Sequence, residues 1–221
     1  ADTARARGAV ADLRPEMVRD LAWRGIGPAN PMGRITDIEV DPKDGTRWFV
    51  ATGGGGVFLT ENAGTTWHNV DDQLPSASIG DVAVAPSNSD IVWIGTGEEN
   101  ARNSVQWGDG VYKSVDGGKT FASVGLRDTF QIGHIAIHPT NPDIVYVAAL
   151  GRLWGDNEAR GVYRTKDGGA HWERVLFLDE RTGCIDVRVD PVHPEFVYAC
   201  MYERRRDGFD GNDPSVRFGA K

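Results

Sequence analysis

Three eight-residue stretches decide the fold: TENAGTTW at Thr60–Trp67, SVDGGKTF at Ser114–Phe121 and TKDGGAHW at Thr165–Trp172. They are one pattern, repeated at spacings of 54 and 51 residues. A hydroxyl residue opens each copy, Asn or Asp stands third, Gly fifth, and an aromatic closes it. An Asn or Asp side chain followed by Gly hydrogen-bonds the amides of its own loop, so Asn62, Gly64 and Trp67, Asp116, Gly118 and Phe121, and Asp167, Gly169 and Trp172 read as turn structure rather than as catalytic groups. The closing aromatic suits packing between sheets.

Working outward from these turns, the same short strand precedes each: GVFL at 56–59, GVYK at 110–113 and GVYR at 161–164. Further upstream a second element recurs four times, as ITDIEVDP (35–42), IGDVAVAP (79–86), IGHIAIHP (132–139) and CIDVRVDP (184–191), each trailed by WFVA (48–51), VWIG (92–95), VYVA (145–148) or VYAC (197–200). One unit is therefore strand A ending at Pro, strand B with an aromatic, strand C beginning Gly-Val, the eight-residue turn and a short strand D. Pro stops the A-strand ladder and the residues after it supply a tight turn. Four antiparallel strands in roughly 50 residues describe a propeller blade. The fold class is thus all-β, a β-propeller of four-stranded antiparallel blades.

The repeat predicts blades at about 34–72, 79–126 and 132–178, then a half blade at 184–202 followed by a loop at 203–221. Residues 1–22 are expected to form an N-terminal arm and residues 23–221 a partial propeller, with Leu21 to Ile26 the candidate strand for clasping a last blade. About three and a half blades would leave two apolar faces and an open edge. The expected partner is the remainder of the propeller, in the same or a separate chain.

Composition fits this reading. Glycine at 28 of 221 residues is nearly twice the usual share of about 7%, as many short strands and tight turns require. Lys plus Arg is 24 against 32 Asp plus Glu, a net charge of −8, which lacks the basic footprint of a nucleic-acid binder. No apolar run approaches the roughly 20 residues of a membrane-spanning helix. The chain starts at Ala1 rather than Met and has no apolar signal core, as removal of an export signal would leave it, so an extracytoplasmic (periplasmic or secreted) location is expected.

Antiparallel succession puts the A-to-B and C-to-D turns on one side and the B-to-C and D-to-A connections on the other. The first side is short and repetitive. The second carries long, dissimilar loops at Gly97–Asp109, Gly151–Arg160 and Tyr202–Gly219, and such loops on a rigid scaffold are where binding residues concentrate. Asn100, Arg102, Asn103 and Trp107 combine amides, a guanidinium and an indole, a set able to hold sugar hydroxyls or an extended peptide. Arg152 and Trp154 repeat the mixture, and Arg204, Arg205 and Arg206 add a cationic cluster suited to carboxylate or phosphate. A protein, peptide or glycan ligand is expected on this face. Glycoside cleavage is the alternative: it needs two carboxyl groups across the scissile bond, for which Glu98, Glu99, Asp109 and Glu203 are the candidates. The five His residues show no zinc spacing, so neither metal nor cofactor is expected. Cys184 and Cys200 lie eight residues either side of Val192, so a hairpin centred there would bring them opposite, as a disulfide or as two small buried thiols.

The eight-residue turn is similar to the Asp-box of bacterial neuraminidase (BNR) repeats, and from Trp23 onward the chain resembles the sialidase- and sortilin-like propeller superfamily. WRGIGP (23–28), GTGEENARN (95–103) and AALGRLW (148–154) resemble a bacterial subfamily labelled as glycosyl hydrolases with BNR repeats. That resemblance implies the propeller, and a glycoside-cleaving or binding role with it. GRIT at 33–36 is similar to the first-arginine motif of sialidases, with Thr36 in place of the usual Pro; the other arginines and the Tyr nucleophile of that chemistry have no counterpart that can be assigned.

Overall fold

The structure, a computed structural model, describes residues 33–102 and 104–204. The expected arm, the Leu21–Ile26 clasp, Asn103 and the loop beyond Arg204 lie outside the described residues.

Within them the strands form three four-stranded antiparallel sheets and one two-stranded sheet. The first sheet orders β1 (Ile35–Val40), β2 (Trp48–Thr52), β3 (Val57–Thr60) and β4 (His68–Asn69) consecutively. β5 (Ile79–Ala85), β6 (Asn88–Thr96), β7 (Val111–Ser114) and β8 (Ala122–Gly125) make the second, and a single 3₁₀ turn at Arg127–Thr129 leads onward. The third contains β9 (Ile132–Ile137), β10 (Val145–Ala149), β11 (Gly161–Thr165) and β12 (Glu173–Leu176), and β13 (Thr182–Val189) pairs with β14 (Val197–Glu203) as half of a fourth. Strands that pair only with their chain neighbours, sheet after sheet, are blades. The protein is a partial β-propeller.

The turns hold as their chemistry requires. In all three, the opening hydroxyl oxygen accepts the N–H of the fifth-position glycine: Thr60 from Gly64 at 2.9 Å, Ser114 from Gly118 at 2.8 Å and Thr165 from Gly169 at 2.9 Å. The Asn62, Asp116 and Asp167 oxygens accept the N–H four residues on, at 2.8, 2.9 and 2.9 Å. Gly118 and Gly169 sit at φ of 84° and 98°, which glycine alone adopts freely. They also press on the preceding blade: a Cβ would come 2.9 Å from the Phe49 ring at Gly118, and 2.9 Å from Val124 at Gly169.

Blades are joined by apolar burial and by a polar stitch. One core combines Phe49, Ala51, Val57 and Leu59 with Val82, Val84, Val92 and Ile94; another unites Trp93 and Val111 with Ile132, Ile135 and Val147; a third packs Ala148 and Val162 on Cys184 and Val187. Between inner strands, carboxylates accept amides of the next blade: Asp37 from Val82 at 3.4 Å, Glu39 from Val84 at 3.1 Å and Asp81 from Ile135 at 2.7 Å.

The fourth hairpin differs from the symmetric one expected at Val192. An irregularity between Cys184 and Asp186 shifts the register, so Asp186 faces Cys200 and Cys184 faces Met201. Cys184 is consequently buried and Cys200 exposed, and both thiols are free. Side chains alternate across a strand, so a shift of one residue sends one thiol to each face.

Candidate functional site

The loops after β6 and β10, with Arg204 just after β14, meet the starts of the inner strands on one side of the blade row, and their polar groups divide into a buried centre and a solvated periphery. Glu98 opens the first loop and is fully buried. Its carboxylate takes two hydrogen bonds from Arg34, Nε at 2.5 Å and Nη2 at 2.6 Å, and its N–H donates to Ser78 Oγ at 3.0 Å. Since Arg34 precedes β1, this bidentate pair ties the first blade to the second. It also takes Glu98 out of the carboxylates that could meet a substrate.

Arg204, expected at a solvated rim, is likewise inside. Its N–H donates to the Arg181 carbonyl at 3.0 Å, which turns the side chain inward. There Nη1 donates to Gln131 Oε1 at 2.5 Å and Nη2 reaches the Glu98 carbonyl at 3.5 Å, linking the half blade to the second and third. Arg160 plays a comparable part, buried and donating to the carbonyls of Leu150, Arg152, Gly155 and Glu180, so it fixes the loop around Arg152. Burial, with Arg204 nearby, pushes its pKa down to about 10.

Glu99, next to Glu98, has a different environment. Burial pushes its carboxyl up to about 7, with the charges of Asp81 and Asp37 adding and His134 and Arg204 opposing. The inner strands share this strain. Burial raises Asp37 to about 6 and Glu39 to about 7, in each case with help from neighbouring acids. Burial works against a charged His134 ring, but its contact with Asp81 Oδ1 at 3.2 Å outweighs that and its pKa rises.

The remaining candidates sit at the periphery. Asp109 accepts from Arg127 Nε at 2.6 Å and from the Tyr112 hydroxyl at 2.7 Å, and Glu203 pairs with Arg181 at 2.5 Å. Trp107 is 58% exposed, held edge-on against Phe130 with ring centroids 5.5 Å apart; Ser76 Oγ donates to its carbonyl at 2.9 Å. Arg102 is exposed, and its N–H donates to the carbonyl of half-buried Asn100 at 3.0 Å. Arg152 is exposed, with Nε on the Asp156 carbonyl at 2.8 Å, and Trp154 is half-buried. Arg152 lines a cleft of about 810 Å³ with Asp128, Glu158, Tyr163, Arg174 and Glu180; Trp107 and Arg102 do not reach it. Asn103, Arg205 and Arg206 lie outside the described residues. Among the described residues no group of three or more His, Cys, Asp or Glu could hold a metal ion, and no helix is long and apolar enough to cross a membrane.

A family model described as sortilin, neurotensin receptor 3 (Sortilin-Vps10) matches residues 55–206, well over half of the chain. The chain belongs to the Sortilin-Vps10 family. This Sortilin-Vps10 chain is also 30% identical over 106 residues to a xyloglucanase of Hypocrea jecorina (strain QM6a), an alignment covering 41% of the chain and 12% of the relative. In structure it is similar to an ancestral GH74 enzyme, at TM-score 0.61 and 20% identity over 77% of the chain and 22% of that enzyme. It is similar as well to the GH74 xyloglucanase of Xanthomonas campestris, at 0.57 and 18% over 76% and 26%. A third neighbour, an auxiliary nutrient binding protein of Bacteroides thetaiotaomicron, gives 0.53 and 11% over 84% and 40%. At such identities the structures speak for the propeller fold. The chain spans only about an eighth of the curated relative and a quarter of the GH74 structures.

Proposed function

We propose that the chain is a binding module of an extracytoplasmic propeller, one that recognises a protein, peptide or glycan through the face of its long loops, with further blades completing the ring. The observation that carries this reading is the commitment of the carboxylates: Glu98, Asp109 and Glu203 are each paired with an arginine, while the Trp107 indole and the Arg102 guanidinium stand in solvent. Hydrolysis would require two open carboxyls facing each other across a cleft. An exposed aromatic and a guanidinium on one loop are instead suited to stacking on and hydrogen-bonding a sugar or peptide.

Titration calorimetry with xyloglucan oligosaccharides, taken as the glycan probe from the xyloglucanase relative, tests it. Trp107→Ala and Arg102→Ala are expected to weaken capture by about tenfold or more, the effect of removing a hot-spot side chain, with an unchanged unfolding temperature. Equal losses of binding and stability would count against the assignment.

One observation favours a second reading, glycoside hydrolysis. Glu99, pushed up to about 7, has the proton affinity of a general acid at neutral pH. On that reading Glu99→Gln abolishes release of reducing ends from xyloglucan; on the binding reading neither the parent nor the variant releases any.

A further inference from the structure

The cleft of about 810 Å³ lies at the joint between the second and third sheets, and its lining is unbalanced in charge. Tyr163 and Trp172 form part of its wall and also pack on the core that those two sheets share, while Asp128 stands in the 3₁₀ turn that joins them. Both sides of this joint are in place, so the cleft belongs to the interior of the blade row and not to its ends. Its rim is tied together through Asn157, whose N–H donates to the Glu180 carbonyl at 2.9 Å and whose Nδ2 donates to the Asp128 carbonyl at 3.3 Å.

Four acids and two arginines line the cleft, and the arginines are engaged elsewhere. Arg174 Nη1 donates to the Glu158 carbonyl, and its guanidinium lies over the Phe177 ring, 4.1 Å from the centroid. Arg152 spends its Nε on the Asp156 carbonyl. Among the described residues the exposed carboxylates of Asp128, Glu158 and Glu180 form no ion pair. The Asn157 side-chain oxygen, buried in the same wall, accepts from no donor, so the surplus of acceptors continues behind them. Burial raises the pKa of the Tyr163 phenol, and the Asp128 charge adds to the rise while Arg174 opposes it, which sets the Asp128 carboxylate facing the ring.

We propose that this cleft docks a basic peptide segment. A lysine or arginine of the partner places its cationic head among Asp128, Glu158 and Glu180, with its methylene stem along Tyr163 and Trp172. The occupant follows from charge complementarity: a concave site lined by unpaired carboxylates concentrates cations, each such contact is a charge-assisted hydrogen bond, and a long basic side chain is apolar along its stem and charged at its tip. An aromatic wall adds attraction for the cation itself. The site is separate from Trp107 and Arg102, neither of which lines it.

Fluorescence anisotropy of the intact chain with a labelled hexalysine peptide is the test, and a hexaglutamate peptide is the reference. Hexalysine is expected to bind and hexaglutamate not. The double variant Asp128→Asn, Glu158→Gln should weaken hexalysine binding by about tenfold or more, the loss of hydrogen bonds to a charged group. Because a chain of net charge −8 attracts polycations everywhere, Glu61→Gln, Asp72→Asn serves as the control: it removes the same charge from exposed positions outside the cleft and should leave binding unchanged. All four side chains are exposed, so unfolding transitions should match the parent's. Carbodiimide coupling of hexalysine to the unaltered chain, read by peptide mass mapping, gives a second measurement that needs no variant, with amide links expected at Asp128, Glu158 or Glu180. Absence of hexalysine binding, equal losses in both double variants, preference for hexaglutamate, or links scattered over the acids of the surface would each overturn the proposal. Trp107→Ala and Arg102→Ala should leave hexalysine affinity intact, which separates this site from the ligand reading of the loop face.

Discussion

The two sides of this propeller use carboxylates in opposite ways. On the turn side Asp116 and Asp167 lie in water and accept hydrogen bonds from their own loops. Thr120, Ser114 and Lys119 hold Asp116 well below the usual carboxylate range, and the His171 amide and ring with Thr165 hold Asp167 at about 2. On the loop side Glu99, and along the inner strand Asp37 and Glu39, are drawn out of water, and burial pushes them up to between about 6 and 7. A turn side chain meets its donors within four residues, so the charge is satisfied locally and repeats with the sequence. A loop-side charge must find a partner in another blade. Where it does, as Glu98 finds Arg34, the pair anchors the structure, and where no cation meets it, as at Glu99, a proton is the remaining recourse.

The largest effect is expected from breaking the loop-side anchor. Arg34→Met leaves the Glu98 carboxylate buried without its two donors, and removing one partner of a buried pair costs about 3 to 5 kcal/mol. Denaturant unfolding of the single variant and of the double variant Arg34→Met, Glu98→Met measures it. Because the penalty is that of an uncompensated charge, the double variant should regain most of the loss. A double variant as unstable as the single one would show that the pair matters through packing alone.

That contrast also governs how much could be read from the sequence. The blades were legible because TENAGTTW, SVDGGKTF and TKDGGAHW encode a self-contained turn and the Gly-Val and Pro-ended strands flank it at constant offsets. The centre of the loop face was not. Arg34 and Glu98 are 64 residues apart, and Arg204 and Gln131 are 73 apart; nothing local marks such pairs, so Glu98 reads as a candidate acid and Arg204 as part of a cationic cluster for a carboxylate or phosphate ligand. Gln131 carried no signal at all, and Arg160 showed only as one polar residue of a long loop. The inner-strand carboxylates could have been noticed, since Asp37, Asp81 and Asp186 recur at the same position with His134 breaking the series. Cys184 and Cys200 were misplaced for a different reason: residue counting assumes a regular ladder, and the irregularity beside Cys184 breaks it.

A smaller effect is expected on the turn side. Asp167 has its pKa depressed, so the stability it contributes is present above the pKa of about 3.9 that an unfolded aspartate has and is lost as pH falls through about 2. Asp167→Ala should therefore lower the unfolding temperature at pH 7, by less than Arg34→Met does, and the difference should vanish toward pH 2. Persistence of the difference at acid pH would mean that the turn depends on shape rather than on the carboxylate's charge.

The smallest effect has the opposite sign, and it separates the two sides most cleanly. Glu99 has its pKa raised, so the folded chain holds a proton that the unfolded chain has released between about 4.3, the value of an unfolded glutamate, and about 7. Stability linked to this group is whole below the lower value and is lost as pH rises through the upper one. Glu99→Gln fixes the neutral state. It should be indistinguishable from the parent near pH 4 and unfold at a slightly higher temperature at pH 8, the gain being limited because the side chain is half-exposed and water screens its charge. The same substitution on the turn side, Asp167→Asn, should destabilise at pH 8, since there the charge has its donors. Two carboxylates neutralised in the same way and moving stability in opposite directions would establish that the loop face holds its acids under strain; a destabilised Glu99→Gln would instead place a donor on Glu99 and remove the basis for its raised pKa.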